Sequence, residues 1–177
     1  MVTRRQSREW ALQMLVQFEL NPPEAVDAAI AVFWEQQEQL ESDSLAAENR
    51  DARVIFTSDD PRERESLATA RAFAEARVRG AWNGRDALDA ALEPYLEHWS
   101  LYRLGTVERA VLRLAAWEVM NCADIPSPII VNEAVDLAKW FSESKSGRFV
   151  NGVLDKFAKS VRAAPKQESP EEETFAP

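Results

Sequence analysis

The chain has 177 residues, of which 46% are hydrophobic and 29% charged, and its formal net charge is -9 at pH 7. This length can bury a sizeable core, and the hydrophobic share argues against a wholly disordered chain. No apolar run approaches the roughly 18 residues of a membrane span, no signal-peptide core is visible, and the lone Cys122 excludes a disulfide framework and a two-cysteine zinc site. We therefore expect a cytoplasmic protein with no membrane association.

The amino-terminal half predicts three helices. Thr3 and Gln6 form a capping-box pattern at the start of the first, and apolar residues then recur at steps of three and four. Asn21-Pro22-Pro23 ends this helix and begins the second. The third starts at Asp59-Asp60-Pro61, where an acid can cap and proline can occupy the first turn. Between the last two, residues 41–58 are acidic with weak periodicity and predict a connector.

The carboxy-terminal half predicts further helices. Pro94 should kink or split one of them. Thr106 is expected to cap the next, Pro126-Ser127-Pro128 to begin another, and Ser146-Gly147 to begin the last. The fold class is all-α, a compact bundle of about seven helices forming a single domain over residues 1–162, with packed subdomains of about 1–83 and 84–162. Residues 163–177 read as a disordered acidic tail.

Catalytic chemistry has no candidate arrangement in this sequence. His98 is the single histidine and has no nucleophile motif beside it, and Cys122 is read as a small buried side chain. No glycine-rich phosphate loop is present. We therefore expect neither an enzyme nor a cofactor or metal site.

The negative charge is unevenly distributed. Residues 21–99 carry a net charge of -9 and the tail from 163 carries -3, whereas residues 1–20 carry +1 and residues 100–162 carry +2. Because salt screens charges beyond about 8–10 Å, the local field governs contact with phosphates. The two positive segments therefore permit nucleic-acid binding in an acidic chain.

The first positive segment holds Arg4, Arg5 and Arg8 at a helix start. Arg4 and Arg8 are four residues apart and can share a face, where guanidinium groups bind phosphates in pairs of hydrogen bonds. The bland alternative is a solvated helix start. Cations at this end oppose the helix dipole at a cost of about 0.3–1 kcal/mol each, which favours a bound partner.

The second cluster comprises Lys145, Arg148 and Phe149 at the start of the last helix. Free backbone N–H groups and two cations there suit an anion. Phe149 could stack on a base if exposed, but its spacing favours packing in the core with Val150 and Val153.

A third group lies on the helix that follows Gly105. Glu108, Arg109 and Arg113 occupy its polar side, and Glu118 extends the group towards the helix end. A solvated face is the simple interpretation, and a surface for a protein partner is the functional one.

Four motifs occur in order along the second half: TVERAVLRLAAWEV, DIP, NEAVDLAKWF and SGRFVNGVLDK. Together with the amino-terminal TRRQSREWALQMLVQFEL, they resemble the NusB family of transcription antitermination factors. The resemblance covers residues 3–20 and about 72–162. It implies that Arg4, Arg5, Arg8, Lys145, Arg148 and Phe149 bind RNA, and that Glu108, Arg109, Arg113 and Glu118 meet a protein partner.

The function implied by this resemblance is binding of boxA-type single-stranded ribosomal RNA together with the ribosomal protein NusE. The assembly then joins the RNA polymerase elongation complex with other Nus factors and supports ribosomal RNA transcription. Some family members are homodimers, and the sequence does not distinguish monomer from dimer. Three positions depart from the family pattern: Gln6 replaces a frequent Arg, Val16 a frequent aromatic residue, and Lys145 a frequent acid.

Two alternatives stay open. NusB-like domains also accompany certain ribosomal RNA cytosine methyltransferases, so the chain could be a non-catalytic RNA-binding accessory domain. It could also be a purely structural helical protein with incidental basic residues.

Overall fold

Helices account for all regular secondary structure in the part of the chain that the computed structural model describes, residues 1–46, 56, 58–97, 100–143 and 145–163. The α-helices are α1 (Arg4–Leu20), α2 (Val26–Ala46), α3 (Pro61–Asn83), α4 (Arg85–Leu92), α5 (Thr106–Asn121), α6 (Ser127–Phe141) and α7 (Ser146–Ala163). Two short 3₁₀ helices, Glu93–Tyr95 and Leu101–Arg103, lie between α4 and α5. The prediction of an all-α fold with about seven helices is confirmed.

Local capping explains where two of the helices begin. The Thr3 hydroxyl accepts a hydrogen bond from the Gln6 backbone N–H at 3.1 Å, and the Asp60 carboxylate accepts one from the Arg62 N–H at 2.9 Å. Both caps were predicted. The prediction for α5 is wrong by one residue, because Gly105 occupies the cap position and Thr106 is the first helical residue.

The connector prediction is corrected at its amino-terminal end. Helix α2 continues to Ala46, so residues 41–46 are helical rather than part of a connector. Residues 47–55 and 57 of that segment lie outside the described residues, as do His98 and the tail from residue 164. Pro94 splits rather than kinks its helix: α4 ends at Leu92 and a 3₁₀ turn follows.

Helices α1 and α5 are central to the packing. Helix α1 packs on α3 and α5, and α5 also contacts α6 and α7. Their buried side chains join one hydrophobic cluster that extends from Trp10 to Ala158. Aromatic edge-to-face contacts support it, with ring centroids 5.3 Å apart for Trp10 and Trp34 and 5.4 Å apart for Phe18 and Trp82.

A close approach between α3 and α5 depends on glycine. The Trp117 ring lies over Gly80, and a Cβ atom at that position would come within 2.0 Å of Trp117 Nε1. The boundary between α3 and α4 falls at Gly84, near the predicted division of the domain at residues 83–84. That division into two subdomains stays a prediction.

None of the described helices combines the length and the apolar character that a membrane-spanning helix needs.

Candidate functional site

Arg4 is exposed at the first turn of α1 and lies against an aromatic ring. Its guanidinium carbon is 4.4 Å from the centroid of Phe73 on α3. Arg4 also lines a hollow of about 450 Å³ between the starts of α1 and α3, to which Arg62 contributes. A cation held over a ring face keeps its N–H donors available for an anion. This geometry is compatible with the predicted contact to phosphate.

Arg5 is directed towards α6. Its Nε lies 3.0 Å from Glu9 Oε1, and its Nη1 lies 3.5 Å from Asp136 Oδ2 and 3.7 Å from Glu133 Oε2. About a quarter of the Arg5 side chain is exposed. Arg5 of α1 therefore forms ion pairs with acidic residues of α6, and its side chain remains partly accessible to a ligand between the two helices.

Arg8 does not lie on the surface with Arg4, which corrects the predicted exposed pair. It is only 4% exposed, and its Nε lies 3.0 and 3.2 Å from the two carboxylate oxygens of Glu118. Arg77 of α3 also binds Glu118, with its Nε 2.5 Å from Oε1. Burial lowers the pKa of Arg77 and the Glu118 carboxylate opposes that shift. Arg8 therefore joins α1 to α5 inside the protein.

The prediction that Glu118 is available to a protein partner is corrected for the same reason. The residue is 1% exposed and both its oxygens accept hydrogen bonds from Arg8 or Arg77. A buried carboxylate that is bound by two guanidinium groups holds neighbouring helices together and is not accessible to a partner. It fixes the relative positions of α1, α3 and α5.

Arg113 and Arg109 are likewise occupied by acids of the protein itself. Arg113 is buried; its Nε and Nη2 lie 2.6 Å from the two oxygens of Asp89, and its Nη1 contacts Glu19. Arg109 Nε lies 2.7 Å from Glu19 Oε2. Arg109 and Arg113 thus face α1 and α4. Arg113 is buried rather than part of a solvated face, while Arg109 keeps partial exposure.

Glu108 is half-buried and joins the start of α5 to the loop between α6 and α7. Its Oε1 accepts hydrogen bonds from the hydroxyls of Ser142 and Ser146. Burial raises the pKa of this carboxyl, but the two hydroxyls and its own backbone N–H outweigh burial and bring the pKa below its ordinary value. Glu108 therefore organises the loop that precedes α7.

The second predicted cluster occupies the expected position at the start of α7. Lys145 and Arg148 are exposed, and Phe149 is partly buried against the core. Phe149 and Arg148 line a hollow of about 270 Å³ together with Tyr95 and Lys156. The Phe149 ring is thus partly packed against the core and partly exposed. This is intermediate between the core residue and the exposed stacking ring that the sequence left open.

Helix α6 connects the two basic clusters. Asp136, which pairs with Arg5, also lies 3.7 Å from Lys139 Nζ through its other oxygen. The Lys139 side chain lies on Gly147, where an added Cβ would be 2.9 Å from Lys139 Cγ. Contacts therefore run from α1 through α6 to α7. We call this region the α1–α6–α7 surface, comprising Arg5, Asp136, Lys139, Lys145 and Arg148.

Sequence reasoning missed the residues of α6 in this region. Asp136, Lys139 and Trp140 stand on its exposed side, opposite buried residues such as Ala134 and Ala138. The available signal was an aromatic residue, Trp140, placed off the apolar face of an amphipathic helix.

No group of three or more potential metal ligands is present among the described residues.

The chain is similar to known proteins over most of its length. The profile of the NusB family matches residues 5–159. The transcription antitermination protein NusB of Symbiobacterium thermophilum is 34% identical over 166 residues, covering 92% of this chain and 94% of the relative. The protein of the same name from Anaeromyxobacter dehalogenans is 36% identical over 165 residues, covering 93% and 96% respectively.

Solved structures agree with the sequence relatives. NusB of T. maritima superposes with a TM-score of 0.66 at 29% identity, covering 89% of this chain and 92% of that one. A chain from the crystal structure of the antitermination factors NusB and NusE in complex with double-stranded RNA gives a TM-score of 0.63 at 25% identity, covering 89% and 96%. Because the family profile, the relatives and the helical fold agree over nearly the whole chain, this protein belongs to the NusB family.

Proposed function

We propose that the chain is a transcription antitermination factor that binds boxA-type single-stranded ribosomal RNA together with NusE. In this proposal the complex joins the RNA polymerase elongation complex with other Nus factors and supports ribosomal RNA transcription without catalysing a reaction. The relatives named as antitermination proteins are matched over 94% and 96% of their own lengths, which supports the proposal.

The RNA path in this proposal follows the α1–α6–α7 surface. Arg5 and Lys139 share Asp136, and Lys139 lies on Gly147, the residue before Arg148 in the sequence. Lys145 adds an exposed cation at the same helix start. This series of contacts from α1 through α6 to the start of α7 is the single observation that carries the proposal, because phosphate contacts need several cations within reach of one strand.

Residues outside that surface have distinct proposed roles. Arg4 extends the RNA path along the amino-terminal side, where it lies over Phe73. Phe149 offers a partly exposed ring for a base. Arg8 is a positioning residue in the proposal, since its buried bond to Glu118 sets the orientation of α1.

NusE is the proposed protein partner. Glu108 and Arg109 are the two predicted partner residues on α5 that retain partial exposure, so the proposed contact centres on the start of that helix. The acidic character of the chain, with a net charge of -9, suits a basic ribosomal protein because complementary fields accelerate encounter. Arg113 and Glu118 are buried, and in this proposal they hold α5 in position behind that surface.

Fluorescence anisotropy tests the proposal directly. Labelled single-stranded boxA-type RNA, a scrambled strand and a duplex are titrated with the protein, each with and without NusE. We expect modest, salt-dependent binding that favours the boxA strand and becomes tighter with NusE. Equal, weak binding to all three RNAs in both conditions would overturn the proposal and favour a purely structural protein.

A further inference from the structure

Trp140 is the most exposed aromatic side chain among the described residues, at 79%. It lies in the last turn of α6, whose buried residues face the opposite side. Trp117, by comparison, is partly buried against the core, and Trp82 is buried in it. The exposure of Trp140 therefore leaves a ring face open to solvent at a position where packing does not require an aromatic residue.

The hollow beside Trp140 is lined by charged residues. Together with Asp136 and Lys139, Trp140 lines this shallow hollow of about 340 Å³. Asp136 stands one helical turn before the ring and Lys139 directly before it. A protein-docking hot spot normally sits at the centre of an apolar, water-excluding patch. A ring that shares such a hollow with a lysine suits a stacked base whose phosphates are near a cation.

The hollow is continuous with the α1–α6–α7 surface. Asp136 contacts Arg5 on one side and Lys139 on the other, so the ring lies next to the contacts that join α1 to α6. Lys139 in turn rests on Gly147 at the start of α7. A strand that follows the cations of this surface therefore passes the indole.

We infer that Trp140 is a stacking platform for one unpaired base of the bound RNA. This inference rests on the proposed function and adds to it a specific residue and a mode of contact. Val16, where the sequence lacks an aromatic residue, is partly buried against the core and offers no such platform. Trp140 supplies an open aromatic face on α6, and the neighbouring cations hold the backbone of the strand.

Affinity measurements on two variants of Trp140 test the inference. With labelled single-stranded boxA-type RNA as the probe, Trp140→Ala should weaken binding at least about fivefold, the lower bound expected for one lost stack. Trp140→Phe should remain within about threefold of the unchanged protein, because a ring is retained. Tyr102→Ala is the matched control, since Tyr102 is 76% exposed on the 3₁₀ helix before α5, and should leave the affinity unchanged.

Intrinsic fluorescence gives a second readout that does not depend on the alanine variant folding. Stacking on a base should quench Trp140, so RNA should quench the unchanged protein more than the Trp140→Phe variant at saturation. Equal quenching of the two proteins would overturn the inference. So would an unchanged RNA affinity in Trp140→Ala, including the case in which only NusE binding weakens and the ring is a protein contact.

The proposed function and this inference fail in different ways. If the unchanged protein shows no preference for boxA-type RNA and Arg5→Ala has no effect on binding, the proposed function fails. If Arg5→Ala weakens binding while Trp140→Ala does not, the RNA surface stands and the stacking role of Trp140 is refuted.

Discussion

Arg4 and Arg8 show how far sequence spacing predicts the surroundings of a side chain. Their separation of four residues places both over Phe73, with guanidinium carbons 4.4 and 5.3 Å from the ring centroid. Only Arg8 continues inward to Glu118, which lies 110 residues away in the sequence. The shared helix face was predictable, but the buried acceptor was not, because nothing local to α1 indicates it.

Removal of the Glu118 carboxylate should strongly destabilise the fold. Glu118→Ala leaves the buried guanidinium groups of Arg8 and Arg77 without their acceptor, at an expected cost of about 3–5 kcal/mol. Urea unfolding measures the change. Asp155→Ala, which breaks an exposed pair with Lys159, is the control and should cost less than about 1 kcal/mol. Similar losses for both variants would contradict a structural role for the buried cluster.

Asp136 should weaken RNA binding in the unchanged protein. It is half-exposed and pairs with Arg5 and Lys139, so it competes with phosphate for both cations. Asp136→Asn is expected to tighten boxA-type RNA binding by about two- to fivefold at low salt, with a smaller gain as salt screens the charge. Anisotropy titrations at several salt concentrations measure this effect. Asp155→Asn removes an equal charge on α7 as a control, and a matching gain there would attribute the effect to net charge alone.

At the scale of helices, boundaries set by local chemistry were predictable and others were not. Thr3 and Asp60 cap their helices through hydrogen bonds within three residues, and Pro94 interrupts its helix because it lacks a backbone N–H. The continuation of α2 to Ala46 has no such local signal. Its hydrogen bonds to α3, such as Trp34 Nε1 to Glu75 at 2.9 Å, are tertiary and appear only in the fold.

Two glycines within helices should respond oppositely to the same substitution. Gly80→Ala places a methyl group against the Trp117 ring and should destabilise the protein by about 1–3 kcal/mol. Gly152 occupies an exposed position of α7, where an added Cβ would meet no atom within 4 Å, so Gly152→Ala should stabilise the protein by up to about 1 kcal/mol. Thermal and urea unfolding measure both variants. A loss of stability in Gly152→Ala would contradict the open environment of that position.

The hydrogen bonds of Glu108 should make the junction of α5, α6 and α7 sensitive to acid. Because the folded-state pKa lies below its ordinary value, ionised Glu108 stabilises the fold above the unfolded pKa of about 4.3, and this contribution disappears as pH falls through the folded pKa. The difference in unfolding free energy between the unchanged protein and Glu108→Gln should therefore shrink from about pH 6 to pH 3. A difference independent of pH in urea titrations would refute this role.

On the scale of the whole molecule, binding of an anionic ligand depends on where the charges lie. The net charge of -9 opposes approach of RNA, yet exposed cations stand on α1, where Arg4 precedes the partly exposed Arg5, and at the start of α7, where they are Lys145 and Arg148. The sequence identified both basic clusters and the family pattern, because these are local runs of residues. The bridge through Asp136 and Lys139 depends on packing of α1, α6 and α7, and spacing within one segment does not predict it.

Salt dependence should report how many of these cations contact phosphates. Four contacts to a single strand predict a slope of about -3 for the logarithm of the binding constant against that of salt concentration. The double variant Arg4→Ala, Lys145→Ala should make the slope shallower by about 1 to 1.5. Arg103→Ala, an exposed cation on the 3₁₀ helix before α5, is the control. An unchanged slope in the double variant would remove both side chains from the RNA path.

The buried triad of Arg8, Glu118 and Arg77 has a consequence for the speed and thermodynamics of recognition. It restricts the rotation of α1 about its own axis, since Arg8 binds both oxygens of Glu118, and Arg77 of α3 binds the same carboxylate. Arg4 and Arg5, in the preceding turn, are thereby presented in a fixed orientation before any ligand arrives. Association therefore loses little conformational entropy on the protein side, and the ordering cost falls mainly on the flexible nucleotide strand.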